Sequence, residues 1–214
     1  MTGMAFQDIR RIIREELRAL RLAELAVVQE VHPHAAEGDQ DNYACTVRLR
    51  DDDMVLARVP LATARIGLAA IPDVGDLVLV QFLGGDVNAP LITASFYNDE
   101  DRPPLNQAGE AVLVLPPDAG EGEGVHLTLQ SKEAPRTLLT LGGALEVTLQ
   151  DDDPVVRIAV AGKAEVSIAS DGAVLVKSST GITLEGGELS MKGSKVTIEA
   201  QGQLVLKGAT IDLN

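Results

Sequence analysis

The last third of the chain repeats a short unit of paired apolar residues, and that spacing restricts what the segment can fold into. The pairs are Ile182/Leu184, Leu189/Met191, Val196/Ile198, Leu204/Leu206 and Ile211/Leu213, with successive starts seven, seven, eight and seven residues apart. A glycine falls in every connector: Gly186-Gly187, Gly193, Gly202 and Gly208. Each pair brackets one residue, polar in four of the five cases, which is the in-out-in pattern of a very short strand followed by a tight turn. A heptad coiled coil needs apolar positions three or four residues apart. Residues two apart lie about 200° around a helix and face opposite sides. Glycines inside such a helix would add a cost of about 1 kcal/mol each.

Strands with two inward side chains cannot cover a core singly, so units of this kind must stack. One arrangement is a single-chain solenoid, whose coil closes three faces alone and needs longer circuits. The other is a prism wound from three chains, each strand supplying one side of a triangle. Seven or eight residues per step favour the prism, so a homotrimer is expected, with Ile182, Leu184, Leu189, Met191, Val196, Ile198, Leu204 and Leu206 as its core. Folding and trimerisation would then be one event. The pattern continues upstream less regularly, at Val125/Leu127/Leu129, Leu139/Leu141, Leu145/Val147/Leu149, Val156/Ile158/Val160, Val166/Ile168 and Val174/Val176. About ten strands stacked at about 4.8 Å give a rod on the order of 50 Å long. Connectors from 185 onward carry Glu/Glu, Lys/Lys, Glu and Lys in turn. Such turns would pair opposite charges along a prism edge, or simply form a solvated surface.

Composition agrees with slim stacked strands. The chain has 214 residues, 45% of them hydrophobic but only 2% aromatic, and no tryptophan. A net charge of −14 argues against a nucleic-acid surface. The single Cys45 permits no intramolecular disulfide and sits in a strand-like run, as a buried inert thiol would. No apolar run approaches the roughly 20 residues of a membrane span. Asp8, the arginines and Glu15-Glu16 interrupt any signal-peptide hydrophobic region, so synthesis in the cytoplasm is expected.

Residues 4–24 read as an amphipathic helix with Phe6, Ile9, Ile13, Leu17 and Leu20 on one face. That face is expected to pack between subunits or on a separate hub; a basic membrane-surface helix is the competing reading, weakened by its glutamates. Residues 25–98 hold five expected strands: Leu25–Val31, Tyr43–Arg50, Met54–Val59, Asp76–Phe82 and Leu91–Phe96. Five strands in this length suit a small barrel of the oligonucleotide/oligosaccharide-binding (OB) type. Tyr43, Phe82, Phe96 and Tyr97, in acidic surroundings, make a poor stacking platform for single-stranded nucleic acid. The expected organisation is therefore mainly β: an N-terminal helix (1–24), an OB barrel (25–98), a linker (99–124) and a triple-stranded β-helix needle (125–214).

The run Ile71-Pro72-Asp73-Val74-Gly75-Asp76-Leu77-Val78-Leu79-Val80-Gln81-Phe82, followed by Gly84-Gly85-Asp86, Ala89-Pro90 and Ser95-Phe96-Tyr97-Asn98, resembles the barrel signature of phage baseplate assembly protein V. The same barrel occurs in VgrG-type spikes of contractile injection machines. The resemblance implies a non-enzymatic central spike. Its barrel ring would seat on a hub, and its needle would cross the target cell envelope when the sheath contracts. It places the protein in a phage virion, a tailocin or a related particle. VgrG-type proteins carry a large hub domain ahead of the barrel, so a separate hub protein is expected here. The interval 98–124 is too short for the lysozyme domain some spikes insert. Some slim spikes end in a His-x-His metal site, whereas this chain ends Gly208-Ala209-Thr210-Ile211-Asp212-Leu213-Asn214. A PAAR-like tip-cap protein docking at Ile211, Leu213 and Asn214 is expected instead. A trimeric tail fibre or adhesin-like solenoid recognising glycans is the alternative.

No catalytic, cofactor or metal site is expected. His32-Pro33-His34 has ligand-type residues but reads as a surface turn, and His126 stands alone in a strand. Asp51-Asp52-Asp53 and Asp151-Asp152-Asp153 lack calcium-loop spacing. Residues 120–124, Gly-Glu-Gly-Glu-Gly, lack a phosphate-loop lysine and read as a flexible connector.

Overall fold

The computed structural model describes Gln7, Arg10, Arg11, Ile13 and residues 20–212. The chain divides into two compact units, residues 1–108 and 109–214. In the first, the four isolated described residues are helical, and the rest of the helix read over 4–24 lies outside the described residues as far as Leu20. From there the chain is not helical. The Arg21 amide donates to the Gly85 carbonyl at 3.1 Å, which draws the backbone onto a turn of the barrel instead.

The barrel consists of β1 (Glu24–His32), β2 (Ala44–Leu49), β3 (Val55–Pro60), β4 (Leu77–Phe82) and β5 (Pro90–Phe96). These ends fall within a residue of the expected ones. The sheet order is β3-β2-β1-β4-β5, and a bridge between Leu61 and Ile92 brings the two edges together. Register shifts at Val28/Glu30, Cys45/Val47 and Leu79/Val80 mark bulges, which increase local twist and let so short a sheet curl. Alternation puts Val28, Val47, Leu49, Val59, Val78, Val80 and Ile92 wholly inside, joined by Cys45 and Phe82. Burial pushes the Cys45 thiol up from its ordinary value, as expected of an inert thiol.

The second unit contains one seven-stranded antiparallel meander: β6 (Glu110–Leu115), β7 (Val125–Gln130), β8 (Arg136–Leu141), β9 (Leu145–Gln150), β10 (Val156–Val160), β11 (Ala164–Ile168) and β12 (Val174–Ser178). Two features differ from the sequence reading. The stretch taken as linker, 99–124, contains β6, whose Ala111, Leu113 and Leu115 alternate with Val112 and Val114 in a strand paired to β7. The loop over 120–124 is a formed hairpin connection: Gly124 has φ +59, and a β-carbon there would lie 2.3 Å from the Leu115 carbonyl oxygen. Residues 125–178, moreover, make their ladders within their own chain, because strands of five or six residues joined by Gly142-Gly143, Gly162 and Gly172, all at positive φ, close as hairpins. After Ser178 the described residues form no strand ladder. Each three-residue segment of the repeat is too short to hold a hairpin partner in the same chain.

Candidate self-association surface

The meander register sorts its side chains into two unlike faces. Directly opposed residues in the central row run Leu113, Leu127, Leu139, Val147, Ile158, Val166 and Val176 across all seven strands. The flanking rows on that face are mostly apolar, beginning Leu115, Val125, Leu141, Leu145 and Ala111, Leu129, Thr137, Leu149, with Thr137 and Ser178 as their polar members. Offset by one residue, the opposite face is mixed and carries the charges: Val114, His126, Thr140, Glu146, Ala159, Glu165 and Lys177 in one row and Val112, Thr128, Leu138, Thr148, Arg157, Ser167 and Leu175 in the next. The polar face supplies its own partners: the Arg157 guanidinium donates to Glu146 at 2.5 Å and to Glu165 at 3.1 Å, spanning three strands.

The apolar face has no such closure. Leu113, Leu115, Leu129 and Leu149 keep nearly half their surface exposed, and Ile158 and Val166 about as much. Among the described residues of this unit, the only buried hydrophobic side chain is Ala159, on the polar face. A contiguous apolar surface on this scale marks an interaction site in a folded protein.

The repeat after Ser178 shows the same property. Ile182, Leu184, Leu189, Met191, Val196, Ile198, Leu204 and Leu206 are between 54% and 69% exposed, so none finds an interior in its own chain. Ile211 is exposed as well, while Leu213 and Asn214 lie outside the described residues. At the other end, Phe6, Ile9 and Leu17 also lie outside the described residues. Ile13 is half exposed, and Leu20 covers the barrel turn, so that a β-carbon at Gly85 would come 2.6 Å from it.

One polar cluster on the barrel had no single signal in the sequence. Arg21 donates to Glu24 at 3.0 Å and to Asp52 at 2.5 Å, with its guanidinium carbon 5.9 Å from the Phe82 ring centre. Arg21 and the Met54 amide hold the Asp52 carboxyl below the usual carboxylate range, and Arg21 is raised in turn. Thirty-one residues separate Arg21 from Asp52, and only barrel closure brings them together. The middle member of an aspartate turn is thus a structural anchor.

The remaining candidates are engaged separately. His32, which the sequence placed in a surface turn, is buried at the end of β1, with Nε2 2.9 Å from the Thr46 hydroxyl. His34 is exposed and meets Asp39 at 2.7 Å. Asp39 is held below the usual carboxylate range by the Ala36 amide, His34 and the Ala35 amide. Asp153 accepts the Ser170 amide at 2.7 Å. His126 Nε2 is buried and unpaired among the described residues. Tyr43 Oη accepts the Ala70 amide at 2.8 Å, and Phe82 is buried, so two of the four barrel aromatics are spent on the fold. Among the described residues, no three His, Cys, Asp or Glu side chains gather as metal ligands, and no helix is long and apolar enough to cross a membrane.

A five-stranded barrel followed by a sheet with one exposed apolar face presents a surface suited to assembly rather than a pocket built for chemistry. Residues 44–97, spanning β2 to β5, match the family described as the type VI secretion system/phage-baseplate injector OB domain. The match supports the resemblance to baseplate assembly protein V and VgrG-type spikes drawn from the sequence, and it covers the β2–β5 part of the barrel. That family is a structural baseplate domain, which supports a structural role for this barrel in a phage or injection-system baseplate.

Proposed function

We propose that this chain is the central spike of a contractile-tail baseplate, three copies forming a needle that is driven through the target envelope. The observation that carries this reading is the three-row apolar face of β6–β12. Three such faces turned toward a common axis cover one another and leave the Arg157 face in water. Covering a half-exposed Leu, Ile or Val contributes roughly 1 kcal/mol, and each copy offers eight on this face. Downstream, the exposed pairs of the repeat acquire an interior only if strands of different copies alternate around the axis. A closed prism also leaves no free sheet edge along its length, which suits a part that must be stiff and must not aggregate.

Native mass measurement and light scattering test the reading directly. Three chain masses at micromolar concentration are expected, and a well-folded monomer overturns it.

The ends are proposed as docking elements. The segment bearing Phe6, Ile9, Ile13, Leu17 and Leu20 would seat the spike on a hub protein, and Ile211, Leu213 and Asn214 would receive a PAAR-like cap. The support is the exposure of Ile13 and Ile211. Ile9→Asp/Ile13→Asp should block baseplate assembly with the trimer intact, and removal of residues 211–214 should abolish cap binding alone. Normal assembly, or undiminished cap binding, discards the corresponding site.

A further inference from the structure

We infer that the charged connectors of the repeat fix the register of three braided copies, each acidic turn lying against a basic turn of a neighbour. The inference rests on the trimeric reading above. The repeat poses a register problem, since units seven residues long and nearly alike in apolar pattern fit almost as well after slipping by one unit. Something other than burial must reject the slipped forms.

Three of the four turns have equivalent local geometry, the one over residues 199–203 carrying Ala200 where the others carry glycine. A β-carbon at Gly186 would lie 3.4 Å from the Glu188 carbonyl oxygen, at Gly193 3.4 Å from that of Lys195, and at Gly208 3.1 Å from that of Thr210. In each case the side chain three residues on, Leu189, Val196 or Ile211, also lies within 4 Å. The charges occupy matching places in these turns. Glu185, Lys192 and Lys207 immediately precede the glycine, Glu199 precedes Ala200 at the same step, and Glu188 and Lys195 follow by two. Sign therefore alternates at a fixed position: acidic, basic, acidic, basic. None of these six side chains has an ion pair among the described residues of its own chain.

In a braid where every strand passes to the next face, adjacent turns on one edge belong to different copies and differ by one step. Glu185 and Glu188 of one copy then lie beside Lys192 and Lys195 of another, and Lys192 beside Glu199. A slip of one unit puts Glu beside Glu and Lys beside Lys on all three edges. Single exposed pairs contribute little. Here every edge reverses sign at once, and the comparison is with a slipped form otherwise nearly as stable.

Charge exchange in the full chain tests this. Lys192→Glu/Lys195→Glu should lower the temperature of trimer dissociation by roughly 5–10 °C at low salt, and by less at high salt. Inverting all six charges (Glu185→Lys, Glu188→Lys, Lys192→Glu, Lys195→Glu, Glu199→Lys, Lys207→Glu) should restore it. Register is read independently by Ser194→Cys/Gln201→Cys, at the same position of consecutive turns. Stacked turns about 4.8 Å apart meet disulfide geometry, so oxidation should give a covalent trimer, with the buried Cys45 not competing. A wild-type chain that is monomeric by native mass overturns the trimeric reading itself. A wild-type trimer without rescue on full inversion, or without cross-linked trimer from the cysteine pair, overturns the register and leaves trimerisation standing. If the half-reversed variant fails to fold, these last two results decide.

Discussion

The barrel and the meander are both antiparallel sheets of short strands, yet they complete their interiors in opposite ways. In the barrel, bulges curl five strands until β3 and β5 approach, and ten side chains share one core. The meander has more strands and a longer apolar face, but Leu113, Leu115, Leu129, Leu149, Ile158 and Val166 on that face stay close to half exposed. A sheet closed on itself needs no partner, whereas an open one with three apolar rows does. The same chemistry, Val, Leu and Ile at alternate positions, thus gives a self-sufficient domain in one unit and an adhesive surface in the other.

Three substitutions would break or sharpen that contrast. The largest effect is expected from Ile158→Asp, at the centre of the middle row. It would bring three unpaired carboxylates into one interior, a penalty of several kcal/mol per ion. Native mass measurement should then find no trimer, while hydrogen exchange shows the barrel strands still protected. A persisting trimer would mean that the meander face does not line the shared interior. Next, Leu49→Ala in the barrel should cost roughly 2–5 kcal/mol of that domain's stability. In denaturant titrations the barrel transition should move and the trimer mass stay unchanged; a joint loss of both would show the two units to be one cooperative structure.

The smallest effect belongs to Asp52→Asn, and it depends on pH. A carboxyl held below its usual range stabilises the fold above its unfolded value, and that contribution is lost as pH falls through the lowered folded value. The variant should therefore melt below wild type at neutral pH and converge with it in acid. Parallel melting curves across that range would remove Arg21–Asp52 from the forces holding the segment before β1.

The sequence exposed the barrel strands to within a residue because turn residues punctuate them: Asp51-Asp52-Asp53, Val74-Gly75 and Gly84-Gly85. It exposed β7–β12 through their alternation. It lost β6, because the glycines of 120–124 suggested a flexible connector, although Ala111/Leu113/Leu115 kept the period of a strand. The charged connectors were readable as a pattern, while their equivalent geometry was visible only once Gly186, Gly193 and Gly208 had been placed. His32 was misjudged because burial at the end of a strand depends on which neighbour offers a hydroxyl, here Thr46 on β2.

Period and punctuation by themselves determined that this chain is built of short strands and that the repeat lacks an interior of its own. Both are local properties, set by which residues alternate and where glycine permits a turn. Which strands find partners in the same chain, which face is left apolar, and that Arg21 reaches Asp52 were decided by tertiary structure alone. Register and closure are set by pairing between segments far apart in sequence, and alternation looks the same in a strand whatever lies across from it.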